Sequence, residues 1–318
     1  MAIATIPRAF AEALAGTVTG VVADATNAVR DGVARSVRLR LAEDPAGPEI
    51  AAYGDVGWFG PDSVAWRVHG DLSTLTGGLR ALLYQTLHPL AMAGVADHSD
   101  YRRDPWGRLR RTAQFVAATT YGTSEEAEAA VARVRRVHEH VRGTSPDGRA
   151  YSADRPDLLA WVHATEVDSF LAAYRRYGPG LDDAEADRYV DEMAVVARAF
   201  GADPVPTSTA ELHDVLGSYS LHATRRTRET VRFLMVPPLP LAARPTYGLI
   251  ATAAVELLPW SAQRELRLVV PPIAGPLGVR PATQALLGAL RWALGTSPAL
   301  ATAHARVAGA PVDSTYNR

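Results

Sequence analysis

The sequence predicts an all-α protein built as a single helical domain. Three observations carry that prediction. Apolar residues recur three and four positions apart through most of the 318 residues, strictly alternating segments are scarce, and helix-opening Asp, Pro or Glu and helix-closing Gly punctuate the pattern. Asp104 and Pro105 read as an N-cap and first helical position, followed by the stripe Leu109, Ala113 and Val116. After the turn at residues 121–124, Glu125 and Glu126 suit a first helical turn, and Ala127, Val131, Val134 and Val141 recur at helical spacing. Asp154 and Pro156 open a third helix that Gly178 and Pro179 end. Asp182 and Asp183 open a fourth, with Tyr189, Met193, Val196 and Phe200 on one face and Gly201 as its stop. Further helices are expected near 208–222, 246–258 and 281–294, with Pro-rich crossovers around 236–245 and 271–281. His88, standing before Pro89, is expected to end a helix. Residues 1–40 read as an N-terminal helical extension, 41–270 as the main domain and 271–318 as a C-terminal helical extension packed on it.

Composition narrows the chemistry. A formal charge of -1 gives no electrostatic footprint for nucleic acid. With no cysteine there is no disulfide framework, thiolate nucleophile, iron–sulfur cluster or thiolate zinc site, so any metal ligand is His or carboxylate. Every basic residue is Arg, which excludes Schiff-base chemistry on Lys. The first twenty residues lack a basic leader, an apolar core and a twin-Arg pair, so a cytoplasmic protein is expected. The apolar stretch 233–258 is broken by Pro237, Pro238, Pro240, Arg244 and Pro245, so no transmembrane segment is expected there, although peripheral contact stays open.

The densest chemistry lies between Gln85 and Arg142. His138 stands seven, four and three positions from Val131, Val134 and Val141, and so shares their buried face; Arg135 and Arg142 flank it three before and four after. An apolar wall with one imidazole bracketed by cations suits a haem, with His to iron and Arg to propionates. Spacing alone favours the plainer reading, a buried structural histidine satisfied by a neighbouring carbonyl with solvated Arg on the helix edge. His140 points to another face and cannot share a metal with His138. Arg108 and Thr112, one turn apart, could polarise an oxygen, or could be a helix-bonded Thr and a surface Arg paired with Asp100 or Asp104. His163 shares a face with Leu159, Glu166 and Phe170. No Glu-x-x-His, His-Glu-x-x-His, G-x-S-x-G, P-loop or G-x-G-x-x-G occurs. A carboxylate–imidazole site from His88, His98, Asp97 and Asp100 is the remaining non-haem reading.

Taken as an ordered set, GDVGWFGPDSVAWRVHGD, LYQTLHPLAMAGVADHSDY, PWGRLRRTAQFVAATTYGT, VRRVHEHVRG, YSADRPDLLAWVHATEVDSF and LPWSAQREL closely resemble the catalytic domain of the MpaB/rubber-oxygenase (latex-clearing protein) family. The resemblance covers about residues 40–270. It implies an all-helical, globin-like core, haem b held by a proximal His, and dioxygen used to oxidise or cleave an unsaturated apolar substrate. The family's R-x-x-x-T pair matches Arg108 and Thr112, and its Arg-flanked proximal His matches Arg135, His138 and Arg142, so His138 becomes the expected iron ligand. Arg111 and His163 are expected beside the cofactor. Rubber oxygenases carry a Lys immediately before the Thr as a distal ligand in one state; here Arg111 stands there, and a guanidinium is a poor ligand. Their distal carboxylate base has no clear counterpart, and His88 is the candidate substitute. The same fold leaves open a peroxidase-like tailoring enzyme or a haem sensor, and a non-haem metal hydrolase on His88, His98 and Asp100.

Overall fold

A computed structural model of the protein describes residues 49–309, which form thirteen α-helices and one small hairpin. The expected extension over residues 1–40 lies outside the described residues. In chain order the helices are α1 (Val64–His69), α2 (Thr74–Gln85), α3 (Pro89–His98), α4 (Pro105–Tyr121) and α5 (Ser124–His138). After the hairpin strands β1 (Arg142–Thr144) and β2 (Ala150–Ser152) come α6 (Pro156–Tyr177), α7 (Asp183–Phe200), α8 (Thr209–Gly217), α9 (Arg225–Met235), α10 (Arg244–Glu256), α11 (Trp260–Leu266), α12 (Arg280–Leu294) and α13 (Pro298–Val307). The all-α prediction holds.

The helix ends follow from local chemistry. Asp104 caps α4 by accepting from the Gly107 amide at 2.7 Å, with Pro105 at the first position. Thr123 with Glu126, and Asp182 with Glu185, form reciprocal capping boxes that open α5 and α7. Gly201 closes α7 in the left-handed region at φ 86°, a conformation that Cβ-bearing residues adopt at a cost. The sequence is corrected in three places. His88 begins a helix instead of ending one: its Nδ1 accepts from the Ala91 amide, and Pro89 is then the first residue of α3. Residues 142–152 form an antiparallel hairpin with Gly143 opposite Tyr151, closed by a turn at Ser145–Gly148. The crossover at 271–281 contains a π-turn at Gly275–Val279.

The core is organised by α6 lying along α2. At their closest point a Cβ on Gly77 would stand 2.8 Å from the Phe170 ring and 3.1 Å from the Ser169 carbonyl, so only glycine permits the approach. Trp66, Trp161 and Tyr189 are the largest fully buried side chains around this seam. A buried ion pair locks it: Arg80 meets Asp168 at 2.7 Å, with side-chain exposures of 4% and 12%, and also donates to Ser169 Oγ and the Leu257 carbonyl. The α4–α5 hairpin packs on the other side through α1 and α7, and α13 closes over α4. There Arg306 donates to the Tyr121 carbonyl at the end of α4 and to the Ala51 carbonyl at 2.8 Å. Among the described residues no helix is long and apolar enough to cross a membrane.

Candidate functional site

The α4–α5 hairpin turns in two residues, Gly122 and Thr123. Counting about 1.5 Å per residue from that turn, His138 and Arg108 lie at comparable depth, both about 20 Å away. Val131, on the His138 face of α5, is buried, and Val134 and Val141 are partly buried, as their spacing predicts. His138 itself is half-buried, its ring 6.2 Å from Phe200, and burial lowers its pKa despite the opposing charge of Asp154. It is therefore a neutral imidazole at neutral pH. Its ring makes no hydrogen bond among the described residues, where the structural alternative calls for a carbonyl partner. Phe200 continues to Phe115 of α4 at 5.5 Å, giving the imidazole an aromatic wall.

The flanking cations are lightly held. Arg135 is exposed and donates to the Ala199 carbonyl at 3.4 Å; Arg142 is exposed and stands 3.6 Å from Asp154. His140 bonds the Arg136 carbonyl and faces away, as expected. On α4, Arg108 is fixed by Ser99 Oγ and lies over the Tyr101 ring, 6.0 Å from its centroid. Thr112 is exposed, not buried, and its Oγ1 donates back to the Arg108 carbonyl at 3.0 Å. Leu109 is likewise 53% exposed, so the α4 stripe faces inward only from Ala113 onward. Arg111 is exposed and paired with Asp104 at 3.3 Å.

The other sequence candidates lie elsewhere. His88 caps α3 between Trp161 and Tyr219, and burial holds its pKa down at about 4. His98 ends the same ten-residue helix, about 15 Å along its axis, so His88, His98 and Asp100 do not form one metal site. His163 faces inward on α6 with Glu166, and burial moves the first down to about 4 and the second up to about 7. The sequence placed these two on one face but carried no sign that Phe170, on the same face, meets His69 of α1 at 4.9 Å. A cleft of about 610 Å³ near Arg108, lined by Asp97, His98, Tyr101, Arg102 and Arg226 among others, is too strongly charged and ion-paired to suit an apolar ligand.

The donor set around His138 fits a haem. A bare metal ion needs three or four protein ligands, and among the described residues no three His, Asp or Glu side chains come together. A porphyrin brings four in-plane nitrogens of its own and asks the protein for one neutral imidazole, an apolar wall and cations for its carboxylates. His138 would supply the first, Phe200 and Phe115 the second, and Arg135 and Arg142 the third.

Residues 66–311 match the family described as ER-bound oxygenase mpaB/B'/Rubber oxygenase, catalytic domain. Two curated relatives, the uncharacterized proteins Mb2261 of Mycobacterium bovis and Rv2237 of Mycobacterium tuberculosis, are each 33% identical over 92 residues. That match takes in 29% of this chain and 36% of each relative, so the chain spans about a third of the length of the curated relatives it matches. No solved structure matches.

Proposed function

This chain belongs to the ER-bound oxygenase mpaB/B'/rubber oxygenase catalytic-domain family, and we propose that it is a haem-b-dependent oxygenase that uses dioxygen on an apolar, unsaturated substrate. The observation that carries the proposal is His138: a half-buried, neutral imidazole with no hydrogen-bond partner among the described residues, between two loosely held guanidinium groups. The haem, when bound, supplies the redox-active iron for the use of dioxygen.

The chain's own residues divide the remaining work. His138 offers its lone pair. Arg135 and Arg142 are free to turn to the cofactor's carboxylates, since a 3.4 Å carbonyl contact and an exposed ion pair hold them weakly. Thr112 has spent its hydroxyl proton on the Arg108 carbonyl, so it accepts hydrogen bonds here and does not donate. Donation to a reacting oxygen falls instead to Arg108, which Ser99 and Tyr101 hold in place. Arg111 stays charged and tied to Asp104, so no amine ligand of the Lys type is available at that position.

Purified full-length protein supplied with haem should develop a Soret band, and His138→Ala should lose or shift it. A protein that binds no haem, or a band indifferent to His138→Ala, overturns the proposal. Reduced protein in air should then consume dioxygen on addition of an isoprenoid; a stable, inert ferrous form would favour the sensor alternative.

A further inference from the structure

Four of the five most exposed large apolar side chains among the described residues are Val236, Leu241, Ile273 and Leu277, each at least 69% exposed. A single exposed Leu is ordinary, but a cluster of them marks a surface with a use. The Tyr247 hydroxyl donates to the Leu234 carbonyl, and Arg244 Nε donates to the Leu239 carbonyl at 3.1 Å. The Pro-rich crossover that carries Val236 is thereby fixed on the first turn of α10, next to Leu241. About 12 Å further along that helix, Gly248, Leu249 and Thr252 line a shallow groove of about 680 Å³ with Ile273, Ala274 and Leu277 from around the π-turn. No charged side chain lines it.

The charge of the same stretch is one-sided. Residues 225–280 hold eight Arg, three Glu and no other charged side chain, a net of +5 in a chain whose formal charge is -1. The three carboxylates are spent inside the protein: Glu229 pairs with Arg102 and Arg225, Glu256 with Arg280, and Glu265 accepts from the Ala223 amide. Arg226 is paired with Asp97. Arg228, Arg232, Arg244, Arg264 and Arg267 are exposed and form no ion pair among the described residues. Arg232 stands four residues before Val236, Arg244 three after Leu241, and Arg267 six before Ile273. Unpaired cations therefore border the apolar prongs along the chain.

We propose that the face carrying Val236, Leu241, Leu249, Ile273 and Leu277 is a peripheral docking surface for an anionic lipid bilayer. The apolar side chains enter the acyl boundary, and the arginines meet lipid phosphates, which guanidinium groups bind in a bidentate way. Charge selects lipid over the other occupants. A second copy apposed through the same face would set arginines against arginines. Residues 1–48 carry five Arg and five acidic side chains, so they bring no net negative charge to the face. The surface does not depend on the oxygenase reading.

The test is co-sedimentation of the full chain with vesicles of phosphatidylcholine alone and of phosphatidylcholine mixed with phosphatidylglycerol. Wild type should bind the mixed vesicles at least about tenfold more tightly, and added salt should weaken that binding. Replacing Leu241 and Leu277 together by Gln should cut binding by about tenfold or more, because two apolar anchors leave the acyl boundary. Replacing Arg232 and Arg267 together by Gln should cut it by about thirtyfold, at about fivefold for each cation near an anionic surface. Val195→Gln, an equally conservative change of an exposed apolar residue on α7, should leave binding as it was. All four positions are exposed, so thermal melts should show each variant folded. Equal binding to both vesicle types, binding to neither, or unchanged binding in the folded leucine variant overturns the surface. A dimer that sedimentation detects and the leucine variant dissolves, without vesicle binding, gives the face to a second copy and overturns it too. No readout needs haem, so failure here and failure of the Soret test are separate results.

Discussion

Two regions of this bundle place ionisable side chains against apolar surface in opposite ways. At the α2–α6 seam, Arg80 and Asp168 are buried and answer each other, with Ser169 and the Leu257 carbonyl taking further guanidinium protons. Along α5 and the inward face of α6, His138, His163 and Glu166 are desolvated without any partner among the described residues. The first arrangement is what stability requires of buried charge. The second raises the free energy of the charged forms and leaves polar atoms unspent, which is useful only where a ligand completes them. On the proposed function, the unmatched His138 and not the matched Arg80–Asp168 pair marks the working face.

Substitutions can break that contrast, and the largest effect is expected at the seam. Arg80→Ala strands Asp168 and should lower stability by about 3–5 kcal/mol in chemical denaturation, whereas replacing both partners with Met and Leu should be close to neutral. If Arg80→Ala costs no more than a surface change, the seam is not locked as described.

Next comes Glu166. Between its ordinary value of 4.5 and about 7, the folded protein holds a proton that the unfolded chain has released, so stability falls as pH rises through that window. Glu166→Gln should remove that loss, stabilising the protein by up to about 3 kcal/mol at about pH 8 and hardly at all at about pH 4. The histidines run the other way. His69, His88 and His163 fall from 6.5 to about 4, so the unfolded chain takes up protons that the folded one refuses. Stability should therefore drop as pH decreases through that interval, and thermal melts across pH in wild type and His163→Leu read the share that His163 carries.

A smaller effect, about 1 kcal/mol, is expected for Thr123→Ala, which opens the capping box of α5. The smallest sharpens the comparison most. His138→Ala removes a half-buried ring that bonds to nothing described, so melting should move by less than about 1 kcal/mol while the Soret band is lost. A His138→Ala protein that fails to fold would make this histidine structural after all.

Much of this arrangement was legible in the sequence because it is set locally. The caps Asp104, Thr123 and Asp182 and the stop at Gly201 announced their helices, and spacing alone put His138 with Val131 and His163 with Glu166. What stayed hidden depends on a side chain doing an unusual job or on contacts distant in sequence. His88 looked like a helix end because a residue before Pro avoids helical backbone, yet that extended backbone is also what an N-cap needs. The hairpin strands are three residues each, too short for alternation to register, and the turn residues Pro146, Asp147 and Gly148 were the only available signal. The Arg80–Asp168 lock joins two helices across the whole hairpin and could not be read from spacing. For Thr112 the spacing left two readings open, and the exposure of Leu109 beside it goes with the second: the hydroxyl is exposed and bonded to its own helix.

The contact from α13 to the end of α4 has a consequence for the order of events during synthesis. The Tyr121 carbonyl, at the joint from which α5 and His138 extend, is satisfied by Arg306, 185 residues further along the chain. A ribosome that has released α4, α5 and α6 has therefore not yet supplied the group that fastens their joint. The helices can form as they emerge, but the joint from which α5 and His138 extend is secured only after almost all of the described chain is made.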